Sequence, residues 1–230
     1  MKALVVDAAA RRMVVSAKNG DATVSLSVDA GTGQSRRLLS AIDFVLKETE
    51  IEPCDLDYTA LTSGPGAFTG LRLAFSALKV LELSFGVPAY GVRTLDAYAE
   101  PFLRCSAPVV SVIDAKKDQF FVSLYDGEAL LVDGEDTDAL SILRELKERA
   151  LDSETVFVVG PAARPFSEKL RELGPSLRLV TCDGSLDVAR SLFNLAEKAM
   201  ERGDSPLAEY DGPFYARKSE AEIKLEKAVP

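Results

Sequence analysis

Laid over itself at an offset of 107 residues, the chain repeats: LVVDAAARRMVVSAKNGDA falls without a gap on SVIDAKKDQFFVSLYDGEA. Asp7 lies over Asp114, Ala8 over Ala115, Val15 over Val122, Ser16 over Ser123 and Gly20 over Gly127. The apolar strand positions superpose as well. The Asn-Gly step at 19–20 is a strong signal for a tight hairpin, and Asp126-Gly127 takes its place in the second copy. A β-hairpin unit that opens each half is the mark of an internal duplication, and it constrains the fold more than any other feature. We divide the chain accordingly into 1–105, 106–218 and a charged, mobile tail at 219–230.

Around that repeat the pattern alternates. The short valine-rich run 3–8 reads as a buried strand, followed by strands at 13–17 and 22–28. After a polar loop at 31–35, the helix expected over 36–49 places Leu38, Leu39, Ile42, Val45 and Leu46 on one face. Arg37, Ala41 and Phe44 fall on the other side. A strand at 58–62 leads through SGPGAFTG into a helix over 71–85, then come a strand at 88–92 and a helix at 94–103. The second half continues with helices near 138–150, 165–173 and 186–202, strands at 156–159 and 177–181, and an extended stretch at 210–217. Each half is thus a β-meander followed by alternating helices and strands, a mixed sheet flanked by helices.

The helix after the glycine loop is apolar on more than one side. Leu71, Ala74, Phe75, Leu78, Leu81 and Phe85 form one stripe, and Leu73, Ala77, Val80 and Leu83 nearly fill a second. A helix apolar on two faces wants two surfaces to pack on. Arg37, Ala41 and Phe44 with Leu73, Ala77, Val80 and Leu83 are therefore the candidate partner face.

Composition narrows the chemistry. With 230 residues, 47% of them hydrophobic and 27% charged, this is an ordinary soluble composition with ample material for a core. The net charge of −9 argues against gripping a phosphate backbone unaided, leaving Arg11, Arg12, Arg36 and Arg37 as candidates for a local basic patch. No stretch approaches the roughly 18–20 apolar residues needed to span a bilayer, and Asp7 interrupts the first apolar run, so a cytoplasmic protein without a signal peptide is expected. Cys54, Cys105 and Cys182 lack CxxC spacing and read as buried or half-buried small hydrophobes. The chain has no histidine, which removes Ser-His-Asp and Cys-His nucleophiles and every His-ligated metal site.

Two features remain for phosphate chemistry. The loop Gly64, Pro65, Gly66, Thr69, Gly70 and Arg72 has a strand-loop-helix setting suited to an anion, with Thr69 as candidate N-cap. Its spacing is GxGxxxG, which is neither a Walker loop nor a dinucleotide fingerprint. Asp7 and Asp114, each at the end of a first strand, are candidate oxygen ligands for Mg²⁺. They are followed by DAAAR and DAKKD, without the glycine or hydroxyl residue that turns backbone amides toward a phosphate. No GxSxG elbow is present for a hydrolase.

These segments resemble the bacterial TsaB (YeaZ) proteins. LVVDAA, SGPGAFTGLRLA, PAYGVRTLDAYA, VIDAKKDQFFVSLY and the closing PFYARKSEAE carry the likeness, in order, over nearly the whole chain. The resemblance implies a duplicated actin-like/sugar-kinase (ribonuclease H-like) fold. It implies a non-catalytic subunit in making N6-threonylcarbamoyladenosine at position 37 of tRNA. The expected partners are TsaD, which carries the catalysis and holds its metal through two histidines, and the ATPase TsaE. A homodimer is expected when the chain is alone, and tRNA is met only through the complex. No metal or cofactor is expected of this chain by itself, ATP or ADP belonging to the complex. Ala8, Ala9 and Ala10 stand where many members have Thr or Ser after the first Asp, which weakens any ATP site further. The competing reading is a nucleotide-binding or ATP-hydrolysing actin-like protein that acts on its own through Asp7 and Asp114.

Overall fold

The structure, a computed structural model, describes residues 1–31, 33–116, 119–152, 155–183, 188–208 and 211–214. The first half runs β1 (Lys2–Asp7), β2 (Arg12–Asn19), β3 (Ala22–Asp29), α1 (Gln34–Glu48), β4 (Tyr58–Gly64), α2 (Phe68–Phe85), β5 (Ala89–Arg93) and α3 (Thr94–Ala99). The second runs β6 (Pro108–Lys116), β7 (Gln119–Asp126), β8 (Ala129–Thr137), α4 (Ala139–Glu148), β9 (Thr155–Val159), α5 (Ala163–Leu173), β10 (Arg178–Cys182) and α6 (Val188–Arg202). The sheets are ordered β3-β2-β1-β4-β5 and β8-β7-β6-β9-β10, so the duplication is borne out strand for strand. In each, an antiparallel meander is extended by two parallel strands.

The repeat is exact at the hairpin tips and slips elsewhere. Asn19 pairs with Ala22 and Asp126 with Ala129, each across a two-residue turn whose first residue is a glycine at positive φ. Val5, however, pairs with Ser16, whereas its counterpart Val112 pairs with Val122. The register shift between Asp114 and Lys116 goes with this one-residue slip.

Alternation along the central strands sorts the side chains into three apolar layers. Leu4 and Val6 of β1 face α1 and α2, while Ala3 and Val5 face a middle core shared with α3 and α6. In the second sheet Val110 and Val112 of β6 face α4 and α5, and Val109 and Ile113 face the same middle core. Both central strands are covered on both faces, which is why their sequences are continuous rather than alternating apolar runs. The last helix of each half crosses over: α3 also packs on β6, and α6 packs on β1, β2, β4 and β5.

Several expectations change. The helix expected from 36 begins at Gln34, and Leu39, assigned to its inner face, is 70% exposed. Thr69 is not the N-cap; α2 starts at Phe68 after Ala67, with no side-chain cap, and Thr69 lies exposed in the first turn. Leu81 is half-buried and Phe85 exposed, because the sheet contacts only the face of Leu71, Ala74, Phe75 and Leu78. The helix expected over 94–103 stops at Ala99 and tightens into a 3₁₀ turn at Glu100–Phe102, where Pro101 removes an amide donor. Cys105 and Cys182 are half-buried as expected, but Cys54, in the 3₁₀ turn Pro53–Asp55, is exposed. The expected extended stretch at 210–217, apart from 211–214, and the tail at 219–230 lie outside the described residues.

Candidate functional site

The glycine loop is a packing device. Gly64 adopts φ +120°, and a Cβ there would overlap the carbonyl of Phe214. A Cβ on Gly66 would come within 2.7 Å of the Ala9 side chain and carbonyl oxygen. On Gly70 it would overlap the Ala8 carbonyl oxygen and meet Gln34 Oε1 at 2.5 Å. The two latter glycines exist so that the loop after β4 and the first turn of α2 press against the β1–β2 connection. Pro65, joined to Gly64 by a cis peptide, is buried in the same turn, and Arg72 is exposed with its guanidinium over the Phe68 ring.

That connection is tied down at Ala9 and Ala10. The Ala67 amide donates to the Ala9 carbonyl (2.6 Å), Gln34 Nε2 donates to the Ala10 carbonyl (2.6 Å), and the Ala9 amide donates to Asp7 Oδ1 (3.0 Å). The Ala9 amide, one of those a phosphate would need, is spent on the protein's own carboxylate. Gln34 is a member that sequence reasoning missed; a buried amide at a helix start has no signature without its acceptor.

Asp7 is buried and fully engaged. Besides the Ala9 amide it accepts from Thr62 Oγ1 (2.9 Å) and from the Tyr98 hydroxyl (2.7 Å). Burial pushes its pKa up, and the three hydrogen bonds pull it partly back. Burial, and then the Asp7 charge, push the Tyr98 hydroxyl up in turn. Asp114 is different. It is exposed, bonded by the Lys116 amide (2.7 Å) and ammonium (2.8 Å); its slight burial raises its pKa, but the Lys116 contacts outweigh that and hold it low. The two aspartates, equivalent in sequence, do different work.

Between the halves lies a cleft of about 180 Å³, lined by Asp7, Arg12 and Tyr98 from one side and Pro161, Asp183 and Val188 from the other. Asp114 is not part of its lining. Arg11, also at the cleft, bonds Asp29 (2.8 Å), while Arg36 and Arg37 lie exposed on α1. Among the described residues no group of three or more His, Cys, Asp or Glu side chains is placed to hold a metal ion. No helix among them is long and apolar enough to cross a membrane.

The outward surface of α2 is the other candidate. Val80 is 59% and Leu83 75% exposed, with Leu73 and Ala77 half-buried at its edge. On α1, which packs beside α2, Arg37 and Phe44 are exposed. Ala41 does not join them. It is buried in the core under α1, because the inward arc of that helix is wider than the spacing of its large residues indicated.

Topology and site together define a class: a duplicated actin-like fold whose β1–β2 connection is packed shut by the loop after β4. Residues 28–153 match the model of a family described as TsaD: tRNA N6-adenosine threonylcarbamoyltransferase, and the chain belongs to that family, in its TsaB (YeaZ) branch. The tRNA threonylcarbamoyladenosine biosynthesis protein TsaB of Escherichia coli is 28% identical over 98% of both chains. The protein of the same name from Buchnera aphidicola is 30% identical over 128 residues, which are 54% of this chain and 61%, under two thirds, of that protein. A crystal structure from Pseudomonas aeruginosa, described as an uncharacterized protein with similarity to peptidase YeaZ, superposes with a TM-score of 0.77 at 25% identity, covering 94% of this chain and 99% of that one.

Proposed function

We propose that this chain works in the biosynthesis of threonylcarbamoyladenosine in tRNA, as a non-catalytic cytoplasmic subunit that pairs with TsaD and is joined by TsaE. The observation that carries the reading is the combination of a closed first loop with an exposed apolar stripe, Val80 and Leu83, on α2. A chain without histidine, and with Asp7 already bonded three times, has little to offer as a catalyst in its own right. The stripe instead suits the apolar centre of an association surface, with Arg37 and Phe44 of α1 at its margin. In isolation two copies of the chain pair through the same helices, and tRNA is met through the complex rather than by this chain. The peptidase in the name of the P. aeruginosa relative does not transfer, since no serine or cysteine here has an imidazole base.

Reconstitution of TsaD and TsaE with tRNA, threonine, bicarbonate and ATP tests this directly. Modified adenosine should accumulate only when the chain is present, and equal yield without it overturns the reading. The competing reading, an ATPase using Asp7 and Asp114, is decided by calorimetry with MgATP on the isolated chain: micromolar binding would favour it, and no heat removes it.

A further inference from the structure

After α6 the chain turns at Gly203 and crosses the first half instead of leaving it. Its described parts, 203–208 and 211–214, touch three elements. The Leu207 amide donates to the Ala89 carbonyl (2.8 Å) at the free edge of β5, and the Leu207 side chain packs on the α1–α2 core. From α2, Lys79 Nζ reaches the carbonyls of Ala208 (2.7 Å) and Leu207 (3.4 Å). Further on, the Phe214 amide donates to the Ser63 carbonyl (2.7 Å), with the Phe214 carbonyl lying where a side chain on Gly64 would have to go.

Edge, helix and loop are thus bound by one segment. The loop it grips, Gly64 to Ala67, sets where α2 begins, and Lys79 fixes the middle of the same helix. α2 has no side-chain N-cap and no acidic residue in its first turn, so its own sequence does little to hold that end. We propose that Leu207, Ala208 and Phe214 act as a clamp that fixes the β4–α2 loop and the placement of α2, and thereby presents the outward stripe of Val80 and Leu83 in a form a partner can engage. The second clause rests on the reading of α2 as the partner face; the first does not. Phe214 and Leu207 are positioning residues in this account.

Hydrogen exchange on the full-length chain, read over 64–72, separates the two. Phe214→Pro deletes the amide donor to Ser63, whereas Phe214→Ala keeps it and trims a ring that is largely exposed. Leu207→Asp withdraws the apolar side chain from the α1–α2 core while keeping the amide bonded to Ala89, and Lys79→Met removes the anchor on α2. Exchange over 64–72 should quicken about tenfold in Phe214→Pro, Leu207→Asp and Lys79→Met, roughly the factor carried by one hydrogen bond, and stay at the parent level in Phe214→Ala. Unchanged exchange in Leu207→Asp and Phe214→Pro overturns the clamp, as does equal quickening in Phe214→Ala. Association with purified TsaD, measured by gel filtration, should weaken about tenfold in the same three variants. Faster exchange with unaltered association overturns the link to the partner face. If the parent chain itself fails to associate, the partner reading falls while exchange still decides the clamp.

Discussion

A carboxylate held in a core reports on itself through pH. Asp7 keeps its three donors because they stabilise its charge, yet burial dominates and its folded pKa lies above the ordinary value. The folded state therefore binds the proton more tightly than the unfolded chain does. Its contribution to stability is complete below the unfolded pKa and is lost as pH rises through the folded one. Asp7→Asn removes that term, so its stability relative to the parent should improve as pH rises above about 4, the ordinary carboxylate range, in denaturant titrations. A flat difference over that rise would mean the carboxylate is not strained by burial. The glycines make a simpler prediction. Gly70→Ala drives a methyl into the Ala8 carbonyl, and the resulting shift should cost about 1–3 kcal/mol in unfolding free energy. Gly20→Ala meets no neighbouring atom and is limited to the strain of a positive φ, so it should cost less than Gly70→Ala in the same melts.

At the level of single elements, α2 divides cleanly. Leu71, Ala74, Phe75 and Leu78 are buried, each of the large ones worth about 1.5–3 kcal/mol, and they tie the helix to its sheet. Val80 and Leu83 contribute almost nothing to that, since water still covers most of them. Val80→Glu and Leu83→Glu should accordingly leave the melting temperature within a few degrees of the parent while abolishing association by gel filtration. Association that survives both changes would move the interface elsewhere. The amphipathic helix α4 behaves more conventionally: Asp138 caps it by accepting from the Ser141 amide (2.8 Å), and Ala139, Ile142, Leu143 and Leu146 are buried in the core it shares with α5 and the second sheet.

Across the molecule, the crossing helices join the halves into one body. α6 is pinned to the first sheet by the Lys18–Glu197 ion pair and by the Tyr58 hydroxyl, which donates to Glu197 (2.8 Å). From the other side, Tyr125 of the second sheet donates to Asp96 of α3 (2.5 Å), and Ser111 donates to the Leu95 carbonyl (2.8 Å). Because both halves share the middle core, unfolding in urea should be one transition by fluorescence and circular dichroism alike. Glu197→Gln should lower the unfolding free energy by about 1–3 kcal/mol without splitting the transition. Two separated transitions would show that the halves are independent.

The duplication, the order of elements and the buried central strands were legible in the chain because period-two and helical patterns, glycine turns and a 107-residue offset are local or linear signals. So was the second apolar stripe of α2, where Val80 and Leu83 remain uncovered. Other facts had no linear trace. Asp7 and Asp114 are the same letter in the same register, yet one is buried under Thr62 and Tyr98 and the other is bonded by Lys116. Gly66 and Gly70 lie in a loop whose setting suits an anion and whose spacing does not, and nothing in the spacing names Ala9 and Ala8 as the groups they admit. Ala41 passed for a surface residue on a helix whose inward arc was set by the strands beneath it. Each depends on which distant residues are brought within a few ångströms, and sequence spacing carries no record of such neighbours. The chain by itself determined two repeated units and an apolar helix; tertiary packing decided that the β1–β2 connection of the first unit is closed and that the helix keeps one face exposed.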